Sequence, residues 1–375
     1  MSSDSIPAFT SPRAAALDPY TPGEQPQDRS YIKLNTNENP YPPAPEVQEY
    51  LNHVNAERLR LYPDPESNEL RRAIAGTFSL DPDAVFVGNG SDEVLSFIFY
   101  AFFDGSRGPV LFPDHTYSFY PVYCSYYGIP YRTVPLSTGY LIDPEDYVRL
   151  VKSGGPNGSG CSGIVFPNPN APTGAALSLS EIEGMLGEIP EGVPVVIDEA
   201  YVDFGAETVI PLIGRFPNLI VAQTFSKNRS LAGMRVGYAA ASPGTIAVLN
   251  TVKNSFNSYP LDRISQEVAV EALSDPVYFE ETRTRIMRTR ERTVRRLGET
   301  GFRVIPSKAN FIFVSHPELG GEEIYRKLKD RGILVRYFGK PGIEDFVRIS
   351  IGTDEEMNAL HAALEGLIRE KGGTG

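Results

Sequence analysis

The sequence predicts an α/β protein, with a large unit built on a mostly parallel sheet and a smaller α+β unit after it. The large unit is indicated between residues 65 and 240, where apolar runs of four or five residues alternate with helical segments. Such runs are typical of parallel strands that are buried on both faces. The smaller unit is indicated near residue 275, where the pattern changes to a long amphipathic helix followed by short strands.

The large unit shows its elements through hydrophobic periodicity. Residues 68–78 and 91–103 are predicted helices, and in the second Val94, Leu95, Ile98 and Phe99 share one helical face. The predicted strands are 84–87, 109–112, 163–166, 193–197 and 219–221. Most of the chemically interesting residues fall just after these runs. In open α/β sheets, ligands bind beyond the carboxyl ends of the strands.

The remaining segments set the predicted organisation of the chain. Residues 1–30, rich in Ser and Pro, are predicted to form an arm, and residues 61–274 the large unit. Residues 31–60 and 275–375 are assigned to the smaller unit, with strands at 302–305 and 311–314 and a helix at 322–331. Residues 153–163 contain five Gly and three Ser and are predicted to be a surface loop.

Composition excludes several classes of function. A net charge of −12 argues against a nucleic-acid surface, and the basic residues of 283–296 alternate with acids at helical spacing. The chain has neither the roughly 20 consecutive apolar residues of a membrane helix nor the pattern of a secretory signal. The only cysteines are Cys124 and Cys161, so a disulfide framework is not implied and a cytoplasmic location is expected.

Lys227 and Asp198 each end or follow an apolar run. Lys227 lies among small polar residues, where desolvation and nearby cations lower the pKa of an amine and make it nucleophilic. Asp198 ends the run 193–197 and needs a partner if it is buried. That partner is either a structural hydrogen bond or ion pair, or the protonated nitrogen of a pyridine ring. Tyr201 is placed to bond a hydroxyl of the same ring.

A phosphate site is predicted from a second group of residues. The run 88–93 lies between a strand and a helix and offers backbone N–H groups, although for Ser91 and Asp92 a plain capping turn is the alternative. Thr224, Ser226 and Arg235 add hydroxyls and a guanidinium, and Tyr117 offers a flat face for a ring. A lysine for a Schiff base, an acid for a ring nitrogen and a phosphate site are what pyridoxal phosphate requires. The four histidines show no metal spacing, so no metal is predicted.

These motifs, taken in order, resemble one known family. The runs are 35–41, 61–63, 90–93, 198–201, 224–227, 231–237 and 346–350. Together they resemble the fold-type I pyridoxal-phosphate aminotransferases and, among them, the histidinol-phosphate aminotransferases. The similarity extends from about residue 20 to the C-terminus.

The resemblance implies a seven-stranded sheet, pyridoxal phosphate as cofactor and a role for each matching residue. Lys227 would form the Schiff base, Asp198 would pair with the ring nitrogen and Tyr201 with the ring hydroxyl, while Tyr117 stacks on the ring. The residues implied to hold the cofactor phosphate are Ser91, Asp92, Thr224, Ser226 and Arg235. Tyr62 would reach the phosphate in the neighbouring subunit, which implies a homodimer.

The resemblance also implies a substrate site. Arg348 matches the arginine that binds a substrate α-carboxylate, with Asn37 nearby. Arg336 matches the arginine that binds the phosphate of the substrate, assisted by Tyr20.

One position departs from the family pattern. The family usually has Asn-Pro-Thr-Gly, whose Asn contacts the ring oxygen of the cofactor, but this chain has Ala171 at that place. Asn170 or Asn168 replaces the missing amide, or Tyr201 makes the contact alone. We take Asn170 as the candidate.

The function implied by the resemblance is ping-pong transamination between L-histidinol phosphate and 2-oxoglutarate in histidine biosynthesis, with freed Lys227 as the base. An aromatic amino-acid aminotransferase on the same fold is the nearest alternative, and a phosphothreonine-type decarboxylase is a further one. A cofactor-binding regulator without enzymatic activity is disfavoured, because no basic helical region precedes residue 30 or follows residue 360.

Overall fold

The computed structural model describes residues 7, 9–154 and 160–372. Its helices are α1 Pro12–Ala15, α2 Pro45–Asn52, α3 Asn68–Phe78, α4 Gly90–Phe102, α5 Tyr120–Tyr127, α6 Pro144–Ser153, α7 Leu179–Glu188, α8 Phe225–Asn228, α9 Pro243–Phe256, α10 Arg263–Ser274, α11 Pro276–Glu299, α12 Gly321–Asp330 and α13 Asp354–Gly372. Its strands are β1 Ile32–Lys33, β2 Val85–Asn89, β3 Val110–Pro113, β4 Tyr131–Val134, β5 Gly163–Pro167, β6 Val195–Asp198, β7 Leu219–Thr224, β8 Val236–Ala241, β9 Arg303–Ile305, β10 Phe311–Ser315, β11 Ile333–Leu334, β12 Arg336–Tyr337 and β13 Phe346–Ser350. None of the helices in this described part combines the length and the apolar character that a membrane span requires.

A seven-stranded sheet forms the centre of the large unit, in the order β2-β8-β7-β6-β5-β3-β4. The neighbours from β7 to β4 pair in parallel, whereas β8 runs antiparallel to both β7 and β2. Every residue of β5, β6 and β7 is buried, as expected for a sheet that is covered on both faces. The predicted mostly parallel sheet is therefore confirmed.

Helices cover both faces of this sheet because successive strand residues point in opposite directions. Ile164 and Phe166 of β5 join a core that includes α6 and α7, whereas Val165 joins a core that includes α4, α5 and α9. The functional residues gather at the carboxyl ends of β5, β6 and β7, and of these three strands only β7 leads directly into an α-helix, the short α8.

The smaller unit is an antiparallel sheet in the order β12-β13-β10-β9, accompanied by the parallel pair β1-β11. Its core contains Leu34, Ile286, Ile324, Ile349 and Leu360, and so joins β13 to α11, α12 and α13. The α+β pattern predicted for residues after 275 is confirmed.

The predicted assignment of all of residues 31–60 to the smaller unit is not what the packing shows. β1 pairs with β11 there, but α2 packs against α10 of the large unit. Val47 is buried in one core with Leu70 and Val268, and Arg58 pairs with Glu267 at 2.6 Å. The apolar face of α2 is visible in the sequence, but its partner lies over 200 residues away and no local pattern identifies it.

The second half of the N-terminal arm is hydrogen-bonded to the smaller unit. Residues 1–6 and 8 of the arm, and residues 155–159 of the predicted surface loop, lie outside the described residues. Arg29 Nη2 donates to the carbonyl of Lys329 at 2.6 Å, and Asn35 Nδ2 donates to the carbonyl of Glu24 at 2.8 Å. The second half of the arm is therefore fixed against the smaller unit.

The packing of α2 predicts the effect of shortening Val47. We expect Val47→Ala to lower the free energy of unfolding by about 2 kcal/mol, because the buried methyl groups leave a cavity against α3 and α10. Glu49→Ala, on the exposed side of the same helix, is the control and should change stability by less than about 0.5 kcal/mol. Equal losses in denaturant titrations of the two variants would contradict this placement of α2.

Candidate active site

A cavity of about 440 Å³ lies where the carboxyl ends of β5, β6 and β7 meet the arm and the smaller sheet. Pro167, Asp198 and Thr224, the last residues of those three strands, line it. Two predicted site residues, Asn170 and Tyr62, do not line it. The predicted residues that do are Tyr20, Asn37, Ser91, Asp92, Tyr117, Asp198, Tyr201, Thr224, Ser226, Lys227, Arg235, Arg336 and Arg348.

Lys227 projects into the cavity from the single turn of α8. Thr224 ends β7 and caps that turn by accepting a hydrogen bond from the backbone N–H of Ser226 at 3.1 Å. The Nζ of Lys227 donates to the carbonyl of Thr36 at 3.0 Å. Burial lowers the pKa of Lys227 to about 8, and the positive charge of Arg348 adds to this effect. A fraction of the amine is therefore neutral near pH 7, as a nucleophile or base requires.

Asp198 is a buried carboxylate whose hydrogen-bond partners are both neutral. It is 4% exposed, and it accepts hydrogen bonds from the hydroxyl of Tyr120 at 3.0 Å and the backbone N–H of Ala200 at 3.2 Å. Burial raises the pKa of Asp198 to about 6, and these two hydrogen bonds oppose the rise. An ionised carboxylate in this place is favoured by a cation inside the cavity, such as a protonated ring nitrogen.

The predicted phosphate site lies at the N-terminus of α4. A Cβ on Gly237 would stand 2.3 Å from the backbone nitrogen of Ser91, so β8 approaches the helix start as closely as glycine permits. Gly90 has φ +77°, and a Cβ there would meet the guanidinium of Arg235 at 2.5 Å. The free N–H groups of a helix start, beside the hydroxyls of Thr224 and Ser226 and this guanidinium, suit a phosphate.

Asp92 contributes to this site differently from the hydroxyl residues. Its carboxylate accepts hydrogen bonds from Arg235 Nη2 at 3.0 Å and from the hydroxyl of Tyr117 at 2.6 Å. An acid does not bind a phosphate through its side chain, because both groups are anionic. Asp92 therefore orients the guanidinium and the Tyr117 ring, and only its backbone N–H is available to an anion.

Tyr201 and Asn37 connect the cofactor end of the cavity to the substrate end. Asn37 Nδ2 donates to the hydroxyl of Tyr201 at 3.0 Å, and Ser350 accepts and donates hydrogen bonds that fix Asn37. Burial raises the pKa of Tyr201, so its hydroxyl keeps its proton and remains a donor. Asn37, which the sequence analysis placed in the substrate site, thus also orients the hydroxyl of Tyr201.

Two arginines on neighbouring strands form the substrate end. Arg336 and Arg348 are directly paired in the register of β12 and β13, so their side chains share one face. Both guanidinium carbons lie near the ring of Phe338, at 5.6 and 5.5 Å from its centroid. Arg348 Nη2 donates to the carbonyl of Asn35, but its buried Nε has no hydrogen-bond partner among the described residues. Two cations and a free donor indicate a site for an anionic ligand.

The arm closes the far side of the substrate end. The guanidinium of Arg336 donates to the carbonyls of Thr21 and Pro22 at 3.1 and 3.2 Å. Tyr20 packs against Phe119 with ring centroids 4.7 Å apart. The arm therefore places Tyr20 beside Arg336 in the cavity wall.

Asn170, which the sequence analysis took as the candidate for a contact with the cofactor ring, does not line the cavity. Its amide donates to the carbonyl of His115 at 3.0 Å and to Thr173 Oγ1 at 3.1 Å, and its oxygen accepts from Thr116. Ala171 lines the cavity instead. The alternative residue, Asn168, bonds the backbone of Leu177 in both directions. Both amides are therefore engaged in hydrogen bonds within and beside their own loop.

Tyr62 lies on the surface, outside the cavity of its own chain. It is 79% exposed and stacks on Tyr259 at 4.8 Å between ring centroids. Arg263 donates to its backbone carbonyl at 2.8 Å. Any contact of Tyr62 with a cofactor therefore requires a second copy of the chain.

Three further residues complete the site although sequence reasoning did not single them out. Tyr120 bonds Asp198, Thr36 accepts from Lys227, and Ser350 fixes Asn37. Thr36 and Ser350 fall inside motifs already recognised. Tyr120 had one signal, its position three residues after Tyr117 at the start of a helix, but twenty tyrosines make that signal weak.

The residues present fit pyridoxal phosphate. Asp198 is a buried acid whose hydrogen-bond partners, within the residues that the structure describes, are neutral. The start of α4 is a cradle that a Cβ at Gly237 would fill, and Lys227 is an amine with a lowered pKa. These are the partners that the ring nitrogen, the phosphate and the aldehyde of this cofactor need.

Comparison with known proteins identifies the family of the chain. The family described as aminotransferase class I and II matches residues 29–364. A protein of Syntrophus aciditrophicus named histidinol-phosphate aminotransferase is 52% identical over 361 residues, which cover 96% of this chain and 98% of that protein. A protein of Acinetobacter baumannii with the same name is 53% identical over 360 residues, covering 95% of this chain and 96% of that one.

A solved structure shows the same relationship in three dimensions. Histidinol-phosphate aminotransferase from Sinorhizobium meliloti, in complex with pyridoxal 5′-phosphate, superimposes with a TM-score of 0.87 at 27% identity. The similarity covers 98% of this chain and all of that one. The resemblance inferred from the motifs is confirmed, and the chain belongs to the family of class I and II aminotransferases.

Proposed function

We propose that this enzyme uses pyridoxal phosphate to transfer the amino group of L-histidinol phosphate to 2-oxoglutarate, by a ping-pong mechanism, in histidine biosynthesis. The two arginines paired across β12 and β13 are the observation that supports it. Histidinol phosphate carries a phosphate where an amino acid carries its carboxylate. Arg336 with Arg348 can bind the phosphate dianion, and Arg348 alone can bind the carboxylate of the keto acid. The curated relatives carry the corresponding name.

The cofactor, when bound, supplies an electron-withdrawing ring that stabilises negative charge at the substrate Cα. Lys227 then takes the Cα proton on Nζ, a task for which a pKa of about 8 is suitable near neutral pH. Asp198 would hold the ring nitrogen in its protonated form, because a buried carboxylate favours an adjacent positive charge. Tyr201 would donate to the ring oxygen of the bound cofactor, and Tyr117, whose hydroxyl donates to Asp92, would cover the ring.

The arrangement also admits a second substrate class. Tyr20, Phe119 and Phe338 line the substrate end of the cavity and present aromatic faces. Such walls accept phenylalanine or tyrosine as well as an imidazole. An aromatic amino-acid aminotransferase is therefore the alternative, and the two functions differ in how much they depend on Arg336.

We further propose that the enzyme acts as a homodimer in the cytoplasm. Tyr62 stacks on Tyr259, which is also exposed, and Leu59, Leu61 and Phe256, close to these two residues in the sequence, are exposed as well. Exposed apolar side chains that form a patch are typical of a protein interface. In a dimer formed through this patch, Tyr62 would reach the cofactor phosphate of the partner subunit. The two cysteines are unpaired and buried, as is common in cytoplasmic proteins.

Replacing Lys227 tests the assignment of the catalytic lysine. After borohydride reduction and denaturation, the wild-type chain should retain the cofactor covalently, whereas Lys227→Ala should retain none. Turnover should fall more than about 1000-fold, because both the nucleophile and the general base are lost. Lys152→Ala, at an exposed ion pair, should behave as wild type in mass spectrometry. Covalent cofactor in Lys227→Ala would refute the assignment.

Replacing Arg336 separates the two substrate classes. We expect Arg336→Gln to lower kcat/KM for histidinol phosphate about 10- to 100-fold, the effect of losing a charge-assisted hydrogen bond of about 1.5–3 kcal/mol. With phenylalanine the change should be less than about threefold, and Arg149→Gln, on the surface of α6, is the control. Faster wild-type turnover of phenylalanine than of histidinol phosphate would favour the alternative, and carbon dioxide release would indicate a decarboxylase.

Mixed dimers test the role of Tyr62. Tyr62→Phe homodimers should bind the cofactor about 10-fold more weakly, and Lys227→Ala homodimers should be inactive. When the two variants are mixed, the hybrid contains one site with both groups intact, so cofactor affinity and activity should recover at that site. If Tyr62 acted within its own chain, the hybrid would contain no intact site and nothing would recover.

A further inference from the structure

Glu38 is an acidic residue of the cavity that the mechanism above does not use. It lines the cavity together with Thr36 and Lys227. One carboxylate oxygen pairs with Lys33 Nζ at 2.5 Å, and the other accepts from Thr36 Oγ1 at 2.7 Å. Burial raises the pKa of Glu38, but the hydrogen bonds from Lys33 and Thr36 outweigh it, so the pKa lies below its usual value and the group is ionised.

The turn that carries Glu38 contacts both ends of Lys227. The carbonyl of Thr36 accepts from Nζ at 3.0 Å, and Asn39 Nδ2 donates to the backbone carbonyl of Lys227 at 3.0 Å. One carbonyl satisfies only one of the three N–H bonds of an ammonium group. The protonated amine therefore needs a nearby negative charge as well.

The charges that face Lys227 come from four other elements. Arg348 of β13 and Arg235, which follows α8, disfavour a proton on Nζ, whereas Glu38 and Asp92 of α4 favour it. The ring centroid of Tyr201 is 5.9 Å from Nζ. Asp92 is already engaged by Arg235 and Tyr117. Of the two acids that favour the proton, Glu38 is the one whose carboxylate is not bonded to a residue of the predicted cofactor site.

We propose that Glu38 is a positioning residue for Lys227. When the amine of Lys227 is not bonded to the cofactor, the carboxylate of Glu38 keeps that amine protonated and in its hydrogen bond with the carbonyl of Thr36. Lys33 acts through Glu38 and moderates its charge. In the catalytic cycle this keeps the proton taken from the substrate on Nζ until it is returned. The inference rests on the assignment of Lys227 as the catalytic lysine in the proposed function.

Because Lys33 and Glu38 form an ion pair, the proposal predicts opposite effects when one or the other is removed. Removing the acid leaves Lys227 among cations, so its amine should lose its proton at lower pH. Removing Lys33 leaves the acid unopposed, so the amine should lose its proton at higher pH. If the ion pair had only a structural role, removing Glu38 and removing Lys33 would change the pH at which Lys227 loses its proton in the same way, because either change breaks the pair.

The experiment compares Glu38→Gln, Lys33→Gln and the double variant of the full-length protein at low ionic strength. The first measurement is the first-order rate at which cofactor-free protein forms its covalent link with saturating pyridoxal phosphate, followed against pH. The wild-type rate should rise about tenfold per pH unit and level off near pH 8, where Lys227 becomes neutral. The second measurement is the pH profile of kcat/KM for the holoenzyme.

Below pH 8, we expect Glu38→Gln to form the link about three- to tenfold faster and Lys33→Gln about threefold slower, with opposite displacements of the midpoint pH. The double variant should lie between them, and the kcat/KM profiles should move in the same directions. Lys152→Gln, which breaks the exposed pair with Glu188, should match wild type. Shifts in one common direction, or none, would overturn the proposal while leaving the assignment of Lys227 intact, since that depends on Lys227→Ala.

Discussion

The parallel pairing of β6 with β7 is the constraint on which the site depends. In that register Asp198 lies opposite Ala222, and the chain continues only two residues further to Thr224 before α8 begins. Lys227 therefore emerges at the same edge of the sheet as Asp198, and both side chains line the cavity. Because these strands pack against a different core on each face, a slip of one residue in their register would move side chains from one core into the other and disrupt the packing of both. The core thus fixes the spacing of the catalytic pair.

The site concentrates charges that the protein alone does not fully neutralise. Asp198 is buried with neutral partners, Lys227 has a lowered pKa, and Arg348 has a buried donor that no group in the described part of the chain accepts. Each feature costs stability in the empty protein, because burial penalises a charged group. Each is also complementary to a ligand group: a ring cation, a substrate anion and an aldehyde. The cofactor and substrate therefore complete an electrostatic arrangement that the fold leaves open.

Residues beside the reacting groups mainly orient them. Asp92 fixes Arg235 and Tyr117, Asn37 fixes Tyr201, and the proposed role of Glu38 is of the same kind. These hydrogen bonds connect the large sheet, the turn before α2 and the smaller sheet around one cavity. Precise placement of reacting groups accounts for much of enzymatic rate enhancement. The two units of the chain are for this reason a single functional structure.

The sequence by itself determined the strand and helix pattern and the residues that follow each strand, because apolar periodicity and motif order are local properties. It therefore predicted the mostly parallel sheet and thirteen of the residues that line the cavity. Only the tertiary structure decided that Tyr120 bonds Asp198, that the amide of Asn170 is used within its loop, and that α2 packs on α10. Those outcomes depend on contacts between distant segments, whose partners are selected by packing and hydrogen bonding in the whole fold.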